Sequence, residues 1–195
     1  MPMVPMHGIT EAMHIGADEV PWVYAGELGI KLLQVDLNQG LWVLMNRFPP
    51  GYVVQTHYHT GSVFAYTISG AWGYAEYPQY VNRAGSYLYE PAHSVHTLTV
   101  PDDNTDVTEV WFAIYGANVN IDEDGQVVGV TDAQSILQAY RALCAANGVD
   151  GSKVIVLGEP ASARPGALSW RSQCRRGGGC ASGLLGRARL GSCSV

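Results

Sequence analysis

The chain has 195 residues, 47% of them hydrophobic and only 14% charged, ample material for one packed domain. No run approaches the roughly 18 apolar residues of a membrane span, and the start, Met1-Pro-Met-Val-Pro-Met-His7, lacks the basic and apolar stretches of a signal peptide, which predicts a cytoplasmic protein. All 17 acidic residues lie at or before Glu159 with five of the eleven basic ones, so that part carries −12, and six later arginines bring the total to −6. A domain at −12 repels phosphate backbones, which excludes nucleic acid as a partner of the folded part.

In chain order, residues 1–19 read as an irregular N-terminal arm. From Val20 to about Gly116 short strands alternate with turns: Ile30–Val35, Leu41–Phe48, Val53–His59, Val63–Ile68, Ala71–Tyr77, Ser86–Glu90, His96–Val100 and Val107–Tyr115. They are rich in β-branched and aromatic residues, and Asn38-Gln-Gly40, Pro49-Pro50-Gly51, Ser69-Gly70 and Pro101–Asp106 punctuate them. Asp124-Gly125 is a further hairpin turn between Val119–Ile121 and Gln126–Val130. So many short strands before any helix predict an all-β sandwich or barrel. One helix follows at 132–147. Thr131 and Gln134 form a capping-box pattern, Ile136, Leu137, Tyr140, Leu143 and Cys144 keep helical spacing, and Asn147-Gly148 ends it. Its expected role is to pack across one face of the β domain, with a short strand, Val154–Leu157, after it.

The domain thus spans 20–158, and residues 159–195 differ in kind. The last 36 hold seven Gly, six Arg and six Ser without a single Asp, Glu, Lys or His. Lacking apolar periodicity, they predict a low-complexity, disordered tail. A basic interaction tail and out-of-frame translation of GC-rich DNA are the other two readings, and the composition fits the last best. Cys174, Cys180 and Cys193 lie there and Cys144 in the helix; none has CxxC spacing, so neither a structural zinc site nor a disulfide framework is expected.

The chemistry concentrates in two segments, Gly51-Tyr-Val-Val-Gln-Thr-His57-Tyr-His59 and Gly85-Ser-Tyr-Leu-Tyr-Glu90-Pro91-Ala-His93-Ser-Val-His96, which hold four of the six histidines. His57 and His59 stand two apart, so on a strand both imidazoles leave the same face. A third imidazole from a neighbouring strand completes one face of a metal ion and leaves coordination positions open. Neutral imidazole suits Zn, Fe, Cu and Ni alike.

The two segments resemble the paired motifs of the cupin superfamily. Gly51, His57, His59 and Gly70 match the first motif, but Val63 and Phe64 stand where it has a glutamate. Gly85, Pro91 and His96 match the second, with His93 where glycine is usual. The detail His57-Tyr-His59-Thr-Gly61-Ser-Val63, Gly70-Ala-Trp72-Gly-Tyr74-Ala-Glu76, Tyr89-Glu-Pro91 and His96-Thr-Leu98 is similar to the 2,4′-dihydroxyacetophenone dioxygenase family of small cupins. The resemblance covers about residues 15–157. It implies a jelly-roll β-barrel or sandwich with one C-terminal helix. It further implies Fe(II) held by His57, His59 and His96 without a carboxylate, and a homo-oligomer. The implied reaction takes a small aromatic α-hydroxyketone and O2 to an aromatic acid, 4-hydroxybenzoate, and formate.

Two further residues are candidates for a catalytic part. Glu76 alternates with Trp72 and Tyr74; facing inward it would orient a ligand histidine through its ring N–H, facing outward it is a solvated carboxylate. His93 could donate in support of a ligand, touch substrate, or ligate. Glu90 is a weaker carboxylate candidate. With no clear carboxylate base, substrate deprotonation would rest on the metal or on His93. The apolar run Pro21-Trp22-Val23-Tyr24 could pack on a neighbouring copy. Competing functions are a cupin with the same site and another task, such as β-diketone cleavage or isomerisation, and a non-catalytic metal- or ligand-sensing cupin.

Overall fold

The computed structural model describes residues 11–158. The strands are β1 Val23–Ala25, β2 Leu28–Asp36, β3 Leu41–Phe48, β4 His57–His59, β5 Val63–Ser69, β6 Ala71–Tyr74, β7 Val81–Arg83, β8 Tyr87–Glu90, β9 Leu98–Thr99, β10 Thr108–Tyr115, β11 Asn118–Ile121 and β12 Val127–Thr131. Helix α1, Ala133–Ala146, and β13, Ile155–Leu157, follow. Helix α1 is too short to cross a membrane, and no other helix occurs among the described residues.

The larger layer is a seven-stranded sheet in the order β1-β2-β3-β10-β5-β8, with β13 pairing parallel to β2. Strand β10 is its spine, antiparallel to β3 from Thr108↔Phe48 to Tyr115↔Leu41 and to β5 on its other edge. Two three-stranded sheets, β12-β11-β4 and β7-β6-β9, face it. They are joined where β4 meets the approach to β9: His57 and His96 exchange backbone N–H···O=C bonds of 3.0 and 2.9 Å, and the Val54 N–H donates to the Leu98 carbonyl at 2.9 Å. The two small sheets therefore act as one second layer. Between the layers lie Leu32, Val35, Val63, Trp72 and Val110, all essentially without solvent contact. The indole N–H of Trp72 donates to Thr67 Oγ1 at 2.9 Å, which satisfies its one polar atom. The chain crosses between layers after Ser69 through Gly70, at φ 74°, where a Cβ would stand 2.7 Å from the Thr108 Cα. Only glycine fits that turn.

Helix α1 covers β1 and β2 with Ala133, Ile136, Leu137, Tyr140 and Cys144, as its periodicity predicts. Its cap is one residue later than expected: Asp132 is the N-cap, accepting the Ser135 N–H at 2.8 Å, while Ser135 Oγ accepts the Asp132 N–H. A carboxylate caps better than Thr131 because the charge also meets the helix N-terminus.

Other differences have plain causes. Strand β4 holds only His57–His59 of the predicted Val53–His59, since Val53 makes one isolated bridge and is 60% exposed. Strand β6 stops at Tyr74 because a turn begins at Ala75. The short strands β1 and β7 were not expected. The segment Pro21–Tyr24 largely packs within its own chain. Val23 is buried, the Arg47 guanidinium lies 3.9 Å over the Trp22 ring, and the Pro21 carbonyl accepts the Tyr140 hydroxyl at 2.5 Å. Only Tyr24 of these four is exposed. The first ten residues and the predicted tail at 159–195, with its three cysteines, lie outside the described residues.

Candidate metal centre

Strand alternation sends His57 and His59 off the inner face of β4 and Tyr58 off the outer one; both histidines are 6% exposed. The bridge to His57 sets His96 directly across, at 1% exposure. Ring centroids are 5.0 Å apart for His57 and His59, 4.6 Å for His57 and His96, and 5.7 Å for His59 and His96. One ligand atom from each lies within 4.8 Å of the other two. The Gln55 carbonyl sits 2.7 Å from His57 Nδ1, which holds a proton there and leaves Nε2 as the lone-pair nitrogen.

Glu90 joins this cluster. It closes β8, is 4% exposed, and brings Oε2 to 3.2 Å from His96 Nε2 and 3.5 Å from His59 Nε2. In the β5–β8 pairing Glu90 lies directly opposite Val63, the position where the first motif has its glutamate. Cross-strand partners share a face, so the carboxylate that Val63 does not supply arrives from the next strand. The Tyr74 hydroxyl donates to Glu90 Oε1, and the Tyr74 ring lies 4.2 Å from that of His96.

Burial governs the charges. It pushes the His59 imidazole down to about 3, with His57 and His96 adding to it. It takes His96 down to about 4, helped by His57 and opposed by Glu76, and lowers His57 against the pull of the Gln55 carbonyl. All three rings are neutral at pH 7, the form that binds a metal. Burial raises the Glu90 carboxyl to about 7, opposed by the Tyr74 bond. Tyr74 is held well above its ordinary value by burial and then by Glu90, so it stays a phenol and a donor.

Among the described residues, the buried side-chain polar atoms without a hydrogen-bond partner are His59 Nδ1, His96 Nδ1, His96 Nε2 and Glu90 Oε2. Each orphan costs about 1–3 kcal/mol if nothing meets it, and all four belong to one cluster. Three neutral imidazoles and a carboxylate oxygen are the donor set of a first-row divalent cation, so the residues present fit a metal ion. His57, His59 and His96 would hold it, with Glu90 beside them. The cluster opens on a cavity of about 140 Å3 walled by Trp42, Phe48, Phe112 and Ile114, with Asn46 and Asn118 as neutral polar groups. That is below the ~300–1,000 Å3 of pockets for drug-sized ligands and suits a small one.

The other two candidate residues stand apart from this point. Glu76 lies past the end of β6, is exposed, and accepts the Thr97 N–H at 2.9 Å. It braces the backbone beside His96, and the carboxylate at the cluster is Glu90 instead. His93 is exposed, and its ring tilts against Tyr58 at 5.8 Å, the side chain that leaves the outer face of β4. Its φ of 65° explains the glycine usual at this position. Its N–H donates to the His59 carbonyl at 2.8 Å, so His93 supports β4 through its backbone. Glu90, undervalued in the sequence, had one signal: it alternates with Leu88, between the exposed Tyr87 and Tyr89.

Comparison with known proteins agrees with this architecture. No curated protein matches the chain. A crystal structure of a protein of unknown function with a cupin-like fold, from Ralstonia eutropha JMP134, is 35% identical, with a TM-score of 0.71 over 78% of this chain and 96% of that one. An RmlC-like cupin protein from the same organism is 25% identical, with a TM-score of 0.66 over 71% and 92%. An acetylacetone dioxygenase from Acinetobacter johnsonii shares the fold at 18% identity, with a TM-score of 0.62 over 73% and 99%. The all-β cupin fold with one C-terminal helix is therefore this chain's fold. Residues 10–116, more than half of the sequence, match a single family, and the chain belongs to it: the ChrR cupin-like domain family.

Proposed function

We propose that this protein is a non-haem iron dioxygenase that cleaves the bond between the carbonyl and hydroxymethyl carbons of an aromatic α-hydroxyketone such as 2,4′-dihydroxyacetophenone. The observation that carries the reading is the gathering of three buried, neutral imidazoles and an unsatisfied carboxylate oxygen at one end of a small apolar cavity. Fe(II) held by His57, His59 and His96 would supply the chelation of the ketone and hydroxyl oxygens and the activation of dioxygen.

The chain's own residues do the rest. The three imidazoles are neutral and Glu90 is the one carboxylate at the cluster, so a divalent cation there keeps net positive charge and favours an anionic, deprotonated substrate. Glu90, whose Oε2 lies 3.5 Å from His59 Nε2 and 3.2 Å from His96 Nε2, is the carboxylate placed to take that proton. Tyr74 holds Oε1, so Oε2, on the side of the imidazoles, is the oxygen left to act as base. Trp42, Phe48 and Phe112 wall the cavity with apolar surface. The stoichiometry closes without an external reductant: hydroxyketone plus O2 gives one aromatic acid and one formic acid, each receiving one of the new oxygens.

The test is anaerobic reconstitution with Fe(II), addition of 2,4′-dihydroxyacetophenone, and measurement of oxygen uptake and formate. Stoichiometric iron with no uptake from any α-hydroxyketone or β-diketone overturns the dioxygenase reading and leaves a non-catalytic binding module. The second reading is β-diketone cleavage at the same site. The small cavity favours it, and acetylacetone dioxygenases share the fold. Uptake with acetylacetone alone would select it.

A further inference from the structure

Tyr74 and Glu90 also line a second cavity, of about 250 Å3, to which none of the three histidines contributes. Its other walls are Tyr77, Tyr80, Tyr89, Asn82 and Ser94, with Pro91 and Leu88. Tyr74 and Glu90 thus line both cavities.

Asn82 is the informative residue. It is the middle of β7, between exposed Val81 and Arg83, and is itself 8% exposed. Pairing with Trp72 turns it inward. Its side-chain amide makes no hydrogen bond to any described residue, and its polar atoms are not among the fully buried ones, so they keep access to the cavity that Asn82 lines. An amide offers a ligand both a donor and an acceptor.

The cavity offers no free charge. Of the two Glu90 oxygens, Oε1 takes the Tyr74 hydroxyl and Oε2 lies at the imidazoles. The tyrosines contribute ring faces that suit a planar aromatic ligand.

We propose that this cavity is a binding site for a neutral, single-ring aromatic compound bearing a hydroxyl or carbonyl group, recognised by the Asn82 amide. The site is distinct from the metal centre and independent of the reaction proposed for it, so metal-free protein suffices to test it. A ligand seated there packs on Tyr74 and Glu90, which also line the histidine cavity.

The experiment titrates metal-free, full-length protein with 4-hydroxyacetophenone at mildly acidic pH, followed by calorimetry and by amide chemical shifts. Saturable binding is expected, weakened about tenfold or more by Asn82→Leu, the effect of leaving the ligand's polar group unmatched. Tyr80→Ala, which removes a ring 67% exposed and so spares the fold, should weaken it several-fold, and His59→Ala should leave it unchanged. If Asn82→Leu fails to fold, Asn82→Ser and Tyr80→Ala carry the test. Three results overturn the proposal: no saturation below about 10 mM; binding lost in His59→Ala but kept in Tyr80→Ala and the Asn82 variant, which places the ligand in the histidine cavity; or equal competition by tetramethylammonium, which would mark a cation cage.

Discussion

Replacing Glu90 by glutamine should move metal-free stability and metal affinity in opposite directions. The Glu90 carboxyl is pushed from its ordinary 4.5 up to about 7 by burial. At 1.36 kcal/mol per pH unit this amounts to about 3 kcal/mol against the ionised form. Because the folded-state value is raised, the folded protein binds the proton more tightly between about 4.5 and 7. Stability therefore falls as pH rises through that window, and the whole penalty is present above it. Glutamine has nearly the same volume, carries no charge, and can still accept from the Tyr74 hydroxyl. Metal-free Glu90→Gln should exceed the wild type by up to about 3 kcal/mol at pH 8, with the difference vanishing near pH 4. The loss of the carboxylate beside His59 and His96 should lower metal affinity about 10–100-fold. Urea denaturation in the presence of a chelator gives the first quantity, and competition with a chromophoric chelator the second. A variant less stable than wild type at pH 8, or a difference that ignores pH, would refute the assignment of Glu90 as a buried carboxylate held in place for a cation.

His59→Ala should abolish stoichiometric metal binding, checked by elemental analysis of anaerobically loaded protein. In the metal-free wild type, His59 and His96 sit at about 3 and about 4 when folded but near 6.5 when unfolded. The unfolded chain thus takes up protons the folded one refuses, and stability should drop as pH falls below about 6.5. Two imidazoles outweigh the opposing Glu90 term, and His59→Ala should flatten that acid limb in pH-dependent denaturation. His93→Gly should change stability by no more than about 1 kcal/mol, since relief of the left-handed backbone offsets the entropy of glycine, and should leave metal content intact; loss of metal would restore a ligand role to His93. On the outer face of the large sheet, Trp111, Tyr66 and Tyr87 stand in one cross-strand row, Tyr66 and Tyr87 being 47% and 64% exposed. This face predicts a homo-oligomer by light scattering, shifted toward monomer in Tyr66→Glu; a monomeric wild type at micromolar concentration would count against it.

The His57–His59 pair was legible because a strand has a period of two, and no tertiary information is needed to put two imidazoles on one face. His96 was legible from its motif spacing, and the structure sets it across from His57 by a single bridge. Glu90 was not, because its place depends on the register Val63↔Glu90 between strands far apart in sequence. A carboxylate missing from one strand and present on its neighbour looks, in one dimension, like an absent residue. Glu76 left its direction open, inward or solvated, and only the structure decides it. Alternation projected it onto the face of Trp72 and Tyr74, but the turn at Ala75 ends the strand first. Of the long strands of the large sheet, Leu41–Phe48 was legible to the residue and Val63–Ser69 and Thr108–Tyr115 to within one, since their pattern repeats over several pairs. In the second layer Val53–His59 and His96–Val100 read as longer strands than they are, because isolated bridges hold Val53 and His96 there, and hydrophobicity alone does not tell a bridge from a ladder.

The reciprocal bonds between His57 and His96 carry a consequence for how the chain is held closed. These residues are 39 positions apart and sit at the join between the two small sheets. Any ion gripped by both is a cross-link across that interval, and it would act on the unfolded ensemble as a disulfide does, by forbidding the open loop. For a loop of this length the chain-entropy limit is about 4 kcal/mol, comparable with the entire stability of many small domains. Removal of the ion would then be felt first in slow amide exchange along β4 and β9, as a seam that opens while the seven-stranded sheet stays shut.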